Sequence, residues 1–401
     1  MPLGGYRGIR MASTIRTAVV GTGFMGRVHL EALRRIKGVE VAAIVGRDAE
    51  SAARIAAGFG IPATTDYSTV LQDPSIDAVH ICTPNASHFP LSLAALREGK
   101  HVLCEKPLSV SVREAEELVG LAGKQGLRNC VCHNLRYYPM VQHMRAMREN
   151  GELGQILVVQ GTYSQDWLLY DTDWNWRIDP SAGGPLRVMA DLGTHWFDMV
   201  GHLTGLQVTS LSADLQTFHK QRRRPHQSAE TFGGKLLRPD ETEVVDVGSE
   251  DFGSVNFHLG ERARGTMTAS QVAVGRKNQL RVEIYGSLCS VAWDQERPDE
   301  LWIGHRNSPN QTILKDPSLL RGVAQNFADL PGGHSEGYDS TFKQVFQRFY
   351  ASIRDPGIAP EYPQMEDGLL QMKLLDAILS SHESRSWVDF ATYSSAQSGF
   401  R

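Results

Sequence analysis

Lys106 stands between Glu105 and Pro107, and Asp191 precedes His195 by four residues. These residue types suit the chemistry of a hydroxyl group. An ammonium beside a hydroxyl stabilises the alkoxide that develops as its proton leaves. An imidazole titrates near neutral pH and can take that proton or return it. If Asp191 and His195 share a helical turn, their spacing puts both on one face, where the carboxylate orients a substrate, Lys106 or the imidazole. Each residue alone also has a plainer reading, a solvated lysine in a turn or a histidine in a core.

A carbon that gives up a hydride needs an acceptor, and Gly21-Thr22-Gly23-Phe24-Met25-Gly26 has the form of a site for one. This G-x-G-x-x-G follows the apolar run Ala18-Val19-Val20 and leads into a helix-period segment. In that context Gly21 permits a tight turn, Gly23 lets a dinucleotide pyrophosphate approach bare backbone, and Gly26 lets helix and strand pack closely. Phe24 and Met25 open the helix, whose N-terminal N–H groups and dipole face the phosphates. Dinucleotide choice is read at the end of the second strand, here Ile44-Val45-Gly46-Arg47-Asp48. Gly46 stands where a ribose-binding carboxylate is expected and Arg47 suits a 2′-phosphate, which leans to NADP, while Asp48 keeps NAD open.

The segment from Tyr163 to Arg177 holds Trp167, Trp174 and Trp176, three of the seven tryptophans, beside Asp, Asn and Arg side chains. Aromatic faces stack on the C–H faces of a sugar while polar neighbours pair its hydroxyls, although an oligomer interface selects similar aromatics. Arg177 is the natural clamp for a substrate carboxylate, sulfonate or phosphate. No metal site is expected: Cys130-Val131-Cys132 has the wrong spacing for a zinc knuckle and reads as two buried thiols.

Taken in order, the glycine motif, Thr83-Pro84-Asn85-Ala86-Ser87-His88, Glu105-Lys106-Pro107 and Asp191-Leu192-Gly193-Thr194-His195 resemble the glucose-fructose oxidoreductase and inositol dehydrogenase family (Gfo/Idh/MocA). The likeness runs from about residue 15 to the last helix. It implies that Lys106 approaches the nicotinamide ribose and the reacting hydroxyl, that His195 is the general acid/base with Asp191 beside it, and that Thr83, Asn85 and Glu105 border the cofactor. His88 either joins the nicotinamide-facing turn or packs its helix. Arg136-Tyr137-Tyr138-Pro139 resembles a segment closing the cofactor cleft, with Tyr137 touching substrate or packed at the domain junction. The implied activity is hydride transfer between NAD or NADP and a ring hydroxyl or ketone of a sugar, glycoside or polyol. Two alternatives use the same parts. One is a redox-neutral glycosidase, acting on an anionic glycoside such as a sulfoquinovoside and drawing an extra base from Tyr137, Tyr163 or Tyr170. The other is a dinucleotide-sensing regulator without chemistry, against which the presence of Lys106, Asp191 and His195 counts. Residues 185–190 depart from the spacing of inositol dehydrogenases and put their substrate in doubt. The resemblance also implies a homo-oligomer, a dimer or tetramer.

These residues must be positioned by elements the patterning predicts. At 401 residues the chain exceeds what one core usually supports, and we read a flexible tail at 1–14, a Rossmann dinucleotide-binding domain at 15–137 and a substrate-binding and oligomerisation domain at 138–401. The fold class is α/β. Apolar β-branched runs near 17–20, 39–45, 78–82, 101–104 and 129–132 alternate with helix-period segments, the pattern of a parallel sheet. Beyond residue 151, longer alternating runs near 156–163, 255–259, 264–270 and 280–285 predict an α+β domain with a large, mostly antiparallel open sheet. Residues 216–250 read as an aperiodic excursion from it. Helices expected over 338–353 and 369–379 should pack on that second sheet. A net charge of −4, with Arg222, Arg223 and Arg224 as the one basic run, argues against nucleic-acid and membrane partners. Five irregularly spaced cysteines point to a reducing cytoplasm.

Overall fold

The computed structural model describes residues 14–226 and 241–390, so most of the predicted tail and the middle of the 216–250 excursion lie outside the described residues. The first unit comprises β1 (Ile15–Val20), α1 (Phe24–Leu33), β2 (Val39–Val45), α2 (Ala49–Phe59), β3 (Ala63–Thr64), α3 (Tyr67–Gln72), β4 (Ala78–Ile81), α4 (His88–Arg97), β5 (His101–Cys104), α5 (Val112–Gln125) and β6 (Asn129–Val131). Its six strands lie in the order β3-β2-β1-β4-β5-β6, all parallel. The apolar runs of β4 and β6 are buried throughout, as a sheet covered on both faces requires. Asp48, Asp66 and Ser111 cap α2, α3 and α5 by accepting a backbone N–H. The short β3 and α3 carry too few residues to show a period, and the sequence reading passed over both.

The second unit begins with α6 (Pro139–Glu149), β7 (Ile156–Ser164), α7 (Pro180–Gly183), α8 (Thr194–Thr204) and β8 (Val208–Gln216). A two-stranded ribbon follows, β9 (Gln221–Pro225) with β10 (Thr242–Asp246), inside the excursion that showed no period. The chain continues through β11 (Phe252–Leu259), β12 (Ala263–Ser270), β13 (Gln279–Gly286), β14 (Ser290–Asp294), β15 (Glu300–Gly304), β16 (Gln311–Leu314), α9 (Tyr338–Arg354), α10 (Met365–Ser384) and β17 (Val388–Asp389). The large sheet runs β16-β15-β14-β13-β7-β12-β11-β8-β17, antiparallel except at β7 and β12. That parallel pair brings both carboxyl ends out at one edge, where the Gln165 N–H donates to the Ser270 carbonyl at 2.8 Å. The chain between the two strands carries much of the site.

One expectation about the helices fails. Phe342, Val345, Phe346, Phe349 and Tyr350 of α9 share a core with Ile15, Val19, Leu30 and Leu103, so α9 covers the first sheet beside α1, not the second. A helical period shows that a helix has an apolar face; it does not say which sheet that face meets. The expected division at residue 137 therefore assigns α9 to a unit other than the one it packs on. By contrast α10 lies between α5 and β8 and joins both units in one continuous core. All five cysteines are buried thiols. No helix among the described residues is long and apolar enough to cross a membrane.

Candidate active site

The turn from β1 into α1 shows three different demands on its glycines. Gly21 has φ +115°, and a Cβ there would stand 2.5 Å from the Cys82 carbonyl oxygen. A Cβ on Gly26 would stand 2.0 Å from the Gly21 carbonyl oxygen, so this position lets the helix touch the turn. Around Gly23 a Cβ would meet nothing within 4 Å. Tight turn, close packing and open approach thus fall on the three positions where a dinucleotide loop needs them. Gly23 is the N-cap of α1 and supplies no side-chain acceptor to its first turn, which begins with the exposed Phe24 and the partly buried Met25. A pyrophosphate fits such an end. At the end of β2 Arg47 is exposed, while the Asp48 carboxylate accepts the Ser51 N–H at 2.8 Å as the cap of α2. Gly46 has no room for a side chain, because its Cβ would lie 2.8 Å from that of Ala52.

Lys106 follows β5 directly. Its Nζ donates to Asp191 Oδ1 at 2.7 Å and to the Asp191 carbonyl at 2.8 Å, with the side chain 10% exposed. An ammonium has three N–H bonds, so one is left for a ligand. Asp191 lies in a π-helical turn, Met189–Gly193, that leads into α8. Such turns often mark functional positions. The carboxylate also accepts from Arg177 Nε at 3.2 Å, on the same Oδ1, and from Gln271 Nε2 at 2.9 Å on Oδ2. Burial acts to raise its pKa, but Arg177 and Lys106 outweigh that and hold the carboxyl well below the usual range. Of the three roles considered for Asp191, the structure gives it Lys106: no hydrogen bond joins it to His195.

His195 begins α8 one turn farther on and is buried, its Nδ1 without a partner. Its ring meets that of His133 edge-on at 5.5 Å, and Tyr163 lies 6.4 Å away. Both nitrogens of His133 are likewise buried without partners. Burial first, then the charge of Lys106 and the neighbouring His133, push the His195 pKa well below its ordinary value. Neutral imidazole, the form able to accept a proton, is therefore its resting state. Arg136 pairs with Asp198 on α8, its Nε donating at 2.9 Å, which ties the loop after β6 to the helix carrying His195.

Several expected contacts turn out to be braces. Asn85 donates to the Gly183 carbonyl at 2.8 Å and links the β4 loop to α7. His88 faces the Pro107 carbonyl at 2.7 Å and the Thr83 carbonyl at 2.9 Å, holding that loop against the Lys106 loop; packing, not the nicotinamide, occupies its ring nitrogens. The Thr83 hydroxyl accepts from Ser87. Glu105 is buried and directed at His29. Tyr137 is a correction: it is 2% exposed, its hydroxyl donates to the Glu361 carbonyl and its ring packs on Phe327, so burial preference decided against substrate contact. Tyr170 is exposed and Tyr163 donates to Asn278 at 2.8 Å, burial pushing its phenol far up. Tyr163 is therefore not a ready base.

The aromatic segment divides in the same way. Trp176 stacks under the Arg177 guanidinium at 4.4 Å, while Trp167 and Trp174 pack on a small cluster of Leu168, Ile178 and Val247. Asp191 takes the Nε–H of Arg177 and Asn175 one N–H of its Nη1, two of the five guanidinium N–H bonds. Sequence reasoning missed Gln271, Asn175 and His133, and it missed the scaffold beneath them. Arg222, from the basic run, is buried and donates to the carbonyls of Leu168, Tyr170 and Asp173 and to Asp251. Asp251 also pairs with Arg187. Glu250 accepts the backbone N–H groups of Arg187 and Met189, at the entry to the turn carrying Asp191. Removing one member of so buried an ionic group would cost about 3–5 kcal/mol, because its partner is left uncompensated.

Comparison with known proteins finds relatives along most of the chain. The model of the GFO/IDH/MocA oxidoreductase family's NAD-binding Rossmann fold matches residues 15–133, and that of its C-terminal domain matches residues 141–292. Levoglucosan dehydrogenase of Pseudarthrobacter phenanthrenivorans is 29% identical over 390 residues, covering 94% of this chain and 98% of that protein. A solved structure of levoglucosan dehydrogenase in complex with NADH and L-sorbose has a TM-score of 0.85 at 27% identity, over 94% of this chain and 99% of the other. An inositol dehydrogenase homolog complexed with NAD+ from Azotobacter vinelandii has a TM-score of 0.80 at 25% identity, over 95% and 98%.

Proposed function

Because the chain belongs to the GFO/IDH/MocA oxidoreductase family, we propose that it moves a hydride between a nicotinamide dinucleotide and a ring hydroxyl or ketone of a sugar or related polyol. The observation that carries this reading is the meeting of Lys106 and Arg177 on the Asp191 carboxylate, with His195 buried nearby. In the oxidative direction the remaining N–H of Lys106 binds the substrate hydroxyl and stabilises the alkoxide, and His195 takes its proton. Asp191 keeps Lys106 aimed, and Gln271 keeps Asp191 from turning. The bound dinucleotide supplies the hydride acceptor; Gly21, Gly23 and Gly26 hold its pyrophosphate at α1. Reduction runs the same steps backward, with His195 giving up the proton.

A neutral, hydroxyl-rich ring is the substrate class we favour, as levoglucosan and inositol are for the relatives' named activities. Arg177, already paired, is better suited to hydrogen-bonding a hydroxyl than to neutralising an anion. That argues against a sulfoquinovoside, and of the tyrosines open to the redox-neutral glycosidase as a base, Tyr137 and Tyr163 already donate within the protein. At the adenosine end, Asp48 is occupied in capping α2 while Arg47 is exposed, so a 2′-phosphate is accepted and NADP serves alongside NAD. A homo-oligomer and a reducing cytoplasm belong to the same proposal, the latter supported by five unbridged thiols.

The test is to offer the purified protein anhydro-sugars, hexoses, inositols and aryl glycosides with NAD+ or NADP+, following reduced nicotinamide and aglycone release together. Reduced cofactor accumulating with a neutral sugar or polyol is expected. Aglycone release without net reduction would replace this reading with the glycosidase, and inactivity despite tight dinucleotide binding would favour a regulator.

A further inference from the structure

Glu105 is the end of a hydrogen-bond chain that runs from the site into the core. His29 on α1 places Nε2 2.9 Å from Glu105 Oε1 and Nδ1 2.9 Å from Nδ1 of His80 on β4. His80 Nε2 in turn lies 2.7 Å from the hydroxyl of Tyr350 on α9. His29, His80 and Tyr350 are wholly buried, among Phe342, Phe346 and Phe349. None of the three belongs to the reaction machinery described above.

With His29 neutral, proton counting gives this chain one direction. An ionised carboxylate only accepts, so His29 Nε2 carries a proton. A neutral His29 then accepts at Nδ1, His80 donates from its own Nδ1, and His80 Nε2 accepts the Tyr350 hydroxyl. In that arrangement every donor finds an acceptor, and Glu105 is the only charge in the chain. Burial would raise its pKa, but the His29 hydrogen bond and the charges facing it, Lys106 included, hold it below the ordinary range. Burial keeps His80 neutral. His29, Glu105 and Cys132 also bring three possible metal ligands within 4.8 Å.

The charge at the site gives the chain a use. Two cations, Lys106 and Arg177, face two anions, Asp191 and Glu105. Asp191 already serves both cations, so without an ionised Glu105 the site keeps a surplus positive charge. An oxidised nicotinamide ring is cationic and a reduced one is neutral, so that surplus opposes the oxidised form alone. We propose that Tyr350, His80 and a neutral His29 are positioning residues that fix Glu105 as a buried anion, and that this anion makes the site prefer the oxidised dinucleotide over the reduced one. The preference rests on the dinucleotide-dependent function proposed above; the direction of the chain does not.

Two measurements test it. Nitrogen-15 NMR of the cofactor-free protein should show neutral His29 protonated at Nε2 and neutral His80 protonated at Nδ1; any other pair of protonation states overturns the chain. Dissociation constants for NAD+ and NADH should then be compared between wild type, Glu105→Gln and His29→Leu. We expect the oxidised form to weaken by about tenfold and the reduced form by less than about twofold. Equal weakening of both forms in Glu105→Gln, which keeps the side-chain shape even if His29→Leu fails to fold, overturns the electrostatic role. If wild type binds neither dinucleotide, the function proposed above falls and with it the preference, while the NMR result still decides the chain.

Discussion

The dinucleotide loop and the acid–base cluster are assembled in opposite ways. The loop is six consecutive residues whose backbone does the work, and its constraints are backbone contacts: the Cβ denied to Gly26 would strike the Gly21 carbonyl oxygen, and the one denied to Gly21 that of Cys82. The cluster draws Lys106, Arg177, Asp191 and Gln271 from four separate stretches, and they meet on one carboxylate. Its constraints lie elsewhere, in a buried layer where Arg187, Arg222, Glu250 and Asp251 fix the backbone that carries it. A local device shows in residue spacing and fails when a side chain is added. A distributed one hides from spacing and fails when a charge is removed.

Substitutions should separate the two. Lys106→Ala is expected to lower kcat by roughly 10³-fold or more while leaving the NADH dissociation constant within about twofold, since the group lost acts on the developing alkoxide and the reduced ring is neutral. Comparable turnover would break the assignment. Gly23→Val should do the reverse, weakening dinucleotide binding by roughly 100-fold with little change in Tm, because the added carbons enter open space in the protein and not in the complex. Gly26→Val sharpens the contrast. Its Cβ meets backbone at 2.0 Å, so the fold itself should suffer.

The same contrast explains how much could be read in advance. The strands of the first sheet, the glycine loop and the residues Lys106, Asp191 and His195 all lie in short motifs whose order and spacing are informative. Alternation likewise revealed the second sheet, but not its one parallel pairing, which depends on which strand lies next to which. Arg222 shows the limit more sharply. Beside Arg223 and Arg224 it looked like a weak surface patch, yet it is fully buried on Asp251 and three carbonyls, a role no local pattern encodes. Gln271 left a faint trace as a polar residue following a strand that ends beside β7. Tyr137 misled because an aromatic at a domain junction has the same sequence signature whether it faces ligand or core.

Gln271→Leu probes the distributed device at its gentlest point. It keeps volume and removes only the donor to Asp191 Oδ2, so Lys106 stays paired but less firmly aimed. A fall in kcat of roughly tenfold, with substrate KM nearly unchanged, is expected for a positioning hydrogen bond. No change would mean that Lys106 and Arg177 alone fix the carboxylate.

The smallest expected effect is on pH dependence, and it follows from a sign. The oxidative direction needs His195 without its proton, and burial, Lys106 and His133 all lower its pKa. A lowered pKa extends the deprotonated form to lower pH. The acid limb of kcat/KM for oxidation should therefore lie below the ordinary histidine value of about 6.5, with the profile flat from pH 8 down through that value. The reductive direction needs the protonated form, so its kcat/KM should keep rising as pH falls across the same range. Binding of NAD+ to the glycine loop involves no titrating side chain and should stay level throughout. An oxidative limb at or above 6.5 would mean that the proton leaves to some group other than a buried His195, and the charge-built half of the comparison would lose its acid–base partner.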